Sequence, residues 1–401
     1  MKVNTDPIRI SEVIDRGVEE AIDKDNLVKQ LASGKRLRIK LGIDPTAADL
    51  HLGHSVVLRK LAQFQQLGHA AVLIIGDFTS LIGDPSGRST SRPQLTEAQI
   101  KDNMKDYINQ ASKIIDINKA EIHNNSEWFG KKPMSFLMDL AGRFTVARLI
   151  EREDFQKRLK EGLDVSMLEL LYPLLQGYDS VAVKADVELG GYDQRLNLLF
   201  GRKVQRAFGQ PEQDIMTVPL LIGTDGEKKM SKSVGNYIRI AEEPNKMFEQ
   251  LMNVQDLQIW EYLNLLTDMT PEEIDKLKKD VEAGKIHPRD AKMLMALKVS
   301  EIYQGVEPSK AAEEEFINIT QKGELPSNIA AVKIESKEIG ILDFITATGA
   351  APSNSEARRL IMQKSVMIDD VKLDDWRGKI TPKEGQMVRV GKKKIFKIIN
   401  K

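Results

Sequence analysis

Between Arg36 and Gly76 the spacing of apolar positions changes twice. Leu37, Ile39 and Leu41 alternate with Arg38 and Lys40, the two-residue period of a strand. Asp44, Pro45 and Thr46 make a turn. Val57, Leu61, Phe64 and Leu67 then recur at helical spacing, and Gly68 stands where a helix stops. Residues 71–75 are apolar without interruption, as in a strand buried on both faces. Strand, helix, strand within about forty residues predicts a βαβ unit and a parallel sheet. Such sheets bind ligands where strands end and helices begin.

The pattern further on predicts polar-faced helix over 96–119 and a long helical stretch over 133–159. A strand is expected over 181–187, broken by Gly190 and Gly191, then a helix over 197–208. A strand over 216–222 runs into a loop rich in Gly, Lys and Ser. Residues 243–305 read as a run of helices, with Pro244 and Pro271 near helix starts. Residues 317–339 have no period and read as a linker. Beyond them, Ser353 and Glu356 have the spacing of a capping box that opens a short helix, with Arg358 and Arg359 on its polar side. Residues 364–368 and 387–391 read as strands.

With 401 residues, 41% of them hydrophobic and 29% charged, the chain is long enough for a large core plus appended modules and is not disordered in composition. The longest clean apolar run, Ala70 to Ile75, is far short of a membrane span. No apolar core follows Lys2, so no secretory signal peptide is expected. The absence of cysteine removes disulfides, thiolate metal sites and thiol nucleophiles, and fits a reducing cytosol. The zero net charge hides an asymmetry: 13 Lys and Arg face 7 Asp and Glu from Ile339 onward. A mildly acidic body with a basic tail fits a polyanionic partner touched at one end, or simply a lysine-rich surface.

Two motifs bear on chemistry. His51-Leu52-Gly53-His54 heads the first helix, where unpaired N–H groups and the positive dipole end attract anions and Gly53 lets a flat ligand approach the backbone. By themselves the paired imidazoles fit a turn cap or incidental metal contact as readily. Lys229-Met230-Ser231-Lys232-Ser233, flanked by glycines, carries two lysines that could swing onto a triphosphate. Most such runs are merely solvated loops, but this one follows an apolar strand and so opens on the ligand-binding edge of the sheet. Tyr172, Gln176 and Asp179, spaced four and three apart, share one helical face.

Taken together, the histidine and lysine motifs resemble the signature of class I aminoacyl-tRNA synthetases, and within them the bacterial tyrosyl-tRNA synthetases. The flanks agree: Gly42 through Leu50, Ile82 through Arg88, Tyr172 through Asp179, and Gly190 through Gln194. The resemblance spans nearly the whole chain. It implies an α/β fold: a Rossmann-like parallel-sheet catalytic domain with a helical insertion (1–240), an α-helical anticodon-side domain (241–317), a linker (318–338) and a small α+β, basic RNA-binding module (339–401).

The reaction implied is attack of the tyrosine carboxylate on the α-phosphorus of ATP, then transfer of tyrosine to tRNA(Tyr). An ionised nucleophile needs no general base, so the site must supply positioning and charge stabilisation. Resemblance assigns Thr46, His51, His54, Lys229 and Lys232 to catalysis, with Arg88 and Arg92 as further cations. It assigns Gly42, Asp44, Gly53, Asp193, Met230 and Lys232 to ATP. Lys40, Asp84, Tyr172, Gln176, Asp179 and Gln194 go to tyrosine, with Asp179 suited to the phenolic hydroxyl. Mg²⁺ is expected with ATP but no protein metal site is. The tail resembles the RNA-binding module of a ribosomal small-subunit protein, with Arg358, Arg359, Lys364, Lys392, Lys393 and Lys394 as RNA contacts. A cytoplasmic homodimer with no membrane association is implied.

Two positions depart from the better-known branch of that family. Lys40, expected at the end of the first strand, stands where that branch has a tyrosine; a second branch carries lysine there, and this chain resembles it, so either the hydroxyl contact falls more heavily on Asp179 or Lys40 packs elsewhere. Tyr192 replaces a commoner serine. Tryptophanyl-tRNA synthetases share the fold but typically lack such a tail, and nucleotidylyltransferases share H-x-G-H but not the lysine loop.

Overall fold

A computed structural model describes residues 2–46, 48–86, 95–322, 329–334, 338–391 and 394–399. It divides into two compact units, Met1–Lys310 and Ala311–Lys401.

The first unit is built on a six-stranded sheet: β1 (Glu20–Ile22), β2 (Arg38–Ile43), β3 (Ala70–Ile75), β4 (Glu121–Asn124), β5 (Val187–Gly191) and β6 (Asp214–Val218). Their spatial order is β1-β6-β5-β2-β3-β4. All neighbours run parallel except β1, which is antiparallel to β6. The short edge strand β1 has no hydrophobic alternation to announce it. The βαβ unit expected over 36–76 is β2, the helix Leu52–Gln66 and β3. Every residue of β3 is buried, in keeping with its unbroken apolar run.

Strand order reverses at β2. The chain leaves it toward β3 on one side and returns later to β5 on the other, so a crevice opens beyond the carboxyl ends of β2 and β5.

The expected strand over 181–187 is corrected by the structure. The helix Met167–Val183 continues through its apolar end, Lys184 leaves it at a φ of 51°, and the strand is Val187–Gly191. Gly190 and Gly191 therefore belong to the strand instead of breaking it. A continuous apolar run does not by itself separate buried helix from buried strand. The long helical stretch over 133–159 is three helices, Met134–Gly142, Val146–Leu149 and Glu153–Lys160. Residues 96–119 likewise form two short helices and a 3₁₀ turn. The strand expected over 216–222 ends at Val218.

Ser166 and Glu169 form a capping box at the start of Met167–Val183. This helix packs on Arg195–Ala207 through two facing glycines. A Cβ on Gly177 would lie 2.7 Å from Val204 Cγ2 and 3.3 Å from the Cα of Gly201. Gly177→Ala is therefore expected to cost about 1–3 kcal/mol by forcing the helices apart. Urea unfolding measures this; an unchanged midpoint would show that the helices can separate at no cost.

In the second unit, helices Ile341–Ala347 and Asn354–Met362 join a five-stranded sheet of 330–333, 366–368, 371–372, 387–390 and 394–399. Phe344, Ile345, Ile361, Val366, Val388 and Ile398 form its buried core. Ser353 caps the second helix by accepting from the Glu356 N–H.

Candidate active site

The histidine and lysine motifs are joined through the backbone. Leu52 N–H donates to Ile238 O at 2.9 Å, and Ile240 N–H donates to Leu50 O at 2.9 Å. The segment after the lysine loop thus runs antiparallel to the segment that opens the histidine helix. His51, His54, Lys229 and Lys232 all line one cavity of about 750 Å³ at the strand-order reversal.

His51 is the N-cap residue of Leu52–Gln66, in extended conformation. Its ring centroid lies 3.8 Å from that of His54, and its backbone N–H donates to His54 Nδ1 at 3.2 Å. Burial drives the His51 pKa far down, and the charges of His54, Lys232 and Lys229 push the same way. These influences favour the neutral imidazole, which meets an anion by hydrogen bonding. A Cβ on Gly53 would lie 3.0 Å from the His51 ring, so this glycine leaves room for the imidazole.

The lysine loop is held on its inner side by Asn236, a buried residue that no sequence pattern singled out. Its Nδ2 donates to Asp225 Oδ2 and to the carbonyls of Lys228 and Lys229, and its Oδ1 accepts from Ser231 N–H at 2.8 Å. Lys229 Nζ donates to Asp193 Oδ2 at 2.8 Å, across to the turn that follows β5.

Elsewhere on the cavity wall, Tyr172 OH donates to Asp44 Oδ2 at 2.8 Å, and Thr79 Oγ1 donates to Asp44 Oδ1 at 2.9 Å. Burial, then Asp44 and Asp84, hold the Tyr172 phenol well above its ordinary pKa. Gln194 Nε2 donates to Asp84 Oδ2 at 2.7 Å. Asp179 lies one turn beyond Gln176 on the same helix and is 4% exposed. Trp128 Nε1–H donates to Asp179 Oδ1 at 3.0 Å, and Asn125 Nδ2 donates to Oδ2 at 3.4 Å. Burial raises the Asp179 pKa to about 7, against the opposing pull of Lys40, Trp128 and Asn125.

Residues 32–321 match the family model for tRNA synthetases class I (W and Y). Residues 319–398 match the model for the tyrosine–tRNA ligase SYY-like C-terminal domain. The chain is 46% identical over 387 residues to the tyrosine–tRNA ligase of Thermotoga maritima, covering 96% of each chain. It is 44% identical over 388 residues to that of Aquifex aeolicus, covering 97% of this chain and 98% of the relative. The chain belongs to the tyrosine–tRNA ligase family.

The enzyme is thus an ATP-dependent class I aminoacyl-tRNA synthetase. Solved structures agree on the fold. A truncated mitochondrial tyrosyl-tRNA synthetase of Aspergillus nidulans superposes with a TM-score of 0.67 at 22% identity, over 78% of this chain and 94% of that one. The tryptophanyl-tRNA synthetase of Plasmodium falciparum reaches 0.59 at 13% identity, over 78% of this chain and 90% of that one. Fold alone does not separate tyrosine from tryptophan; the near-full-length identities and the C-terminal family match do.

The enzyme's cavity wall includes Gly42, Asp44, Thr46, Gly53, Asp84, Tyr172, Gln176, Asp179, Asp193, Gln194 and Met230 along with the histidines and lysines. Arg88 and Arg92 lie outside the described residues, as do Lys392 and Lys393 and the side chain of Lys394.

Lys40 is the exception. It is not at the end of its strand and does not line the cavity. It is the third residue of β2, fully buried, and its Nζ donates to Glu188 Oε1 at 2.7 Å, Ser180 Oγ at 2.8 Å and the Gln176 carbonyl at 3.0 Å. Lys40 and Glu188 are direct partners across the parallel β2–β5 pair, which is why the ammonium turns toward the carboxylate. Glu188, Asn125, Trp128, Thr79 and Asn236 were all missed as site-supporting residues. Glu188, Asn125, Trp128 and Thr79 are isolated polar or aromatic residues whose roles depend on partners far away in the chain, and Asn236 acts through main-chain groups of its own loop, which no side-chain pattern announces.

In the second unit, Arg358, Arg359 and Lys364 are exposed. Arg359 pairs with Glu356 at 2.6 Å. The Arg358 guanidinium lies 4.4 Å from the Trp376 ring centroid, with Arg377 at 5.3 Å.

Proposed function

We propose that the cavity holds ATP against the His51–Lys232 end and L-tyrosine with its hydroxyl toward Asp179, and forms tyrosyl-adenylate between them. A tyrosine carboxylate oxygen bonds to the α-phosphorus, the α–β bridging bond breaks, and pyrophosphate leaves with the electron pair. A ribose hydroxyl at the 3′ end of tRNA(Tyr) then attacks the adenylate's carbonyl carbon and gives up its proton, the bond from that carbon to the phosphate oxygen breaks, and AMP leaves with the electron pair. Thr46 and His51 donate to the departing pyrophosphate, and His54 steadies His51. Lys229 and Lys232 neutralise the developing charge from the loop, and Asp193 takes a ribose hydroxyl. Lys229 must then exchange Asp193 for phosphate as ATP enters. Asp84, Tyr172 and Gln176 take the α-ammonium group, and Gly42, Asp44, Gly53 and Met230 bound the nucleotide.

The observation that carries this reading is the backbone pairing of 50–52 with 238–240, which brings imidazole and ammonium groups from distant stretches to one crevice. Pyrophosphate exchange into ATP, with each amino acid added singly, tests it. Exchange with tyrosine is expected at least about a hundredfold above phenylalanine or tryptophan, since an unmatched buried acceptor is costly. Exchange with tryptophan alone would overturn the assignment.

We further propose that Mg²⁺ travels with the triphosphate. Among the described residues no cluster of three His, Asp or Glu gathers to hold a metal. The protein is expected to act in the cytoplasm as a homodimer. No described helix is long and apolar enough to cross a membrane. Support for the dimer comes from Met134, Met138, Leu159 and Met167, apolar side chains 71%, 71%, 49% and 68% exposed along the inserted helices.

The same reading divides the chain by task into 1–240 for catalysis, 241–317 for the anticodon side and 339–401 for RNA; the segment 318–338 is not linker throughout, because residues 330–333 pair with 396–399 in the second unit's sheet. Removing residues 323–401 is expected to leave pyrophosphate exchange within about twofold. It should raise the KM for tRNA at least about tenfold and flatten its salt dependence by about two to three log units per log unit, as three or so phosphate contacts are lost. Normal charging by the truncated protein would remove the RNA role.

A further inference from the structure

Asp179 is a buried carboxylate of the cavity wall, which the reading above sets against the substrate hydroxyl, and on a buried acid ionisation is costly. The tertiary structure surrounds it unevenly. From β2 comes the Lys40 ammonium and from β5 the Glu188 carboxylate, with the first favouring the Asp179 anion and the second opposing it. Trp128 and Asn125 contribute neutral donors. On its own helix the titratable neighbours are Tyr178, the preceding residue, whose ring packs against Phe129, Phe136 and Phe208, and Tyr172, engaged with Asp44. His123 and Glu127 lie behind Trp128 and pair with each other at 3.1 Å.

Lys40 also grips the helical turn that carries Asp179. Its Nζ donates to the carbonyl of Gln176 and to the hydroxyl of Ser180, three residues before and one after. Glu188 accepts from Ser180 Oγ at 3.0 Å and from Gln213 Nε2. Gly201 keeps this corner open: a Cβ there would lie 2.5 Å from Gln213 Nε2 and 3.0 Å from Glu188 Oε2. The pair is thus a built feature with every partner fixed, placed directly behind the wall of the cavity.

We propose that Lys40 and Glu188 are positioning residues for amino-acid selection: Lys40 keeps Asp179 an anion able to accept the tyrosine hydroxyl, and Glu188 limits that effect, so the balance of the pair sets the selectivity for tyrosine over phenylalanine. This rests on the reading of Asp179 as the hydroxyl acceptor. A merely structural ion pair would hold the helix in place and leave the charge of Asp179 alone.

The ratio of kcat/KM for tyrosine to that for phenylalanine, measured by pyrophosphate exchange from pH 6 to 9, tests this on the full-length enzyme. Both substrates share the α-ammonium and carboxylate groups, so their titrations cancel in the ratio. In the parent enzyme the ratio is expected to rise as Asp179 ionises, near pH 7, and then level off. In E188Q the rise moves to lower pH, with a ratio at pH 6.5 about threefold or more above the parent. In K40M/E188Q, where no buried charge is left stranded, the rise moves up by about one pH unit, and the ratio at pH 7 falls severalfold. D179N abolishes the rise.

Opposite displacements in the two variants establish the proposal. Profiles that superimpose on a rising parent curve, with changes only in melting temperature, overturn it and leave the Asp179 reading intact. A flat parent profile that D179N does not alter overturns both.

Discussion

Lys232→Ala is expected to lower kcat for tyrosine-dependent pyrophosphate exchange by about 10²–10³-fold while the KM for tyrosine stays within about threefold. The nucleophile is a carboxylate, already ionised at neutral pH, so the first step asks for no general base. Its barrier is set by negative charge moving onto pyrophosphate. His51 meets that charge as a neutral hydrogen-bond donor, because burial and nearby cations hold its pKa down. Lys229 is paired with Asp193. Lys232 lines the same cavity, and its charge reaches His51. An ammonium that neutralises charge present only in the transition state changes kcat; one that holds the ground state changes KM. Equal losses in kcat and in tyrosine affinity would assign Lys232 to substrate binding.

Lys40→Met is expected to cost about 3–5 kcal/mol of folding free energy, the usual effect of removing one half of a buried ion pair. Glu188 is 1% exposed. Without Lys40 it keeps only neutral donors from Ser180, Gln213 and Gln176. Urea unfolding with an unchanged m-value reads the loss. K40M/E188Q is expected to recover most of it, since neutral groups of similar size then fill the corner. A single variant as stable as the parent would mean that the corner is wet or that Glu188 finds another cation.

The two outcomes are linked. The loss of stability arises from a stranded charge, and the double variant removes that charge while still removing the field of Lys40 from Asp179. Selectivity and stability are therefore separable at this site.

Most of the cavity wall was legible in the sequence because its residues come in short local patterns. A helix N-terminus with an approachable glycine, a glycine-flanked lysine pair and three polar residues on one helical face each specify their own local geometry. The supporting residues have no such signature. Asn236 acts through main-chain groups of its loop, and Trp128 and Asn125 act on Asp179 some fifty residues later. Element boundaries failed for a related reason. The apolar run through Val181 and Val183 fits helix or strand equally, and only its packing on Arg195–Ala207 makes it helix.

With the family resemblance set aside, what the sequence determined by itself was an inventory of imidazole, ammonium and hydroxyl donors, without thiols, and a βαβ unit to present them. Local backbone geometry and side-chain type are enough for that. What only the tertiary structure decided was the fate of Lys40. On paper its ammonium faces the substrate as readily as the core. The parallel register of β2 against β5 places Glu188 opposite it, and a buried cation goes to the carboxylate that compensates its lost hydration.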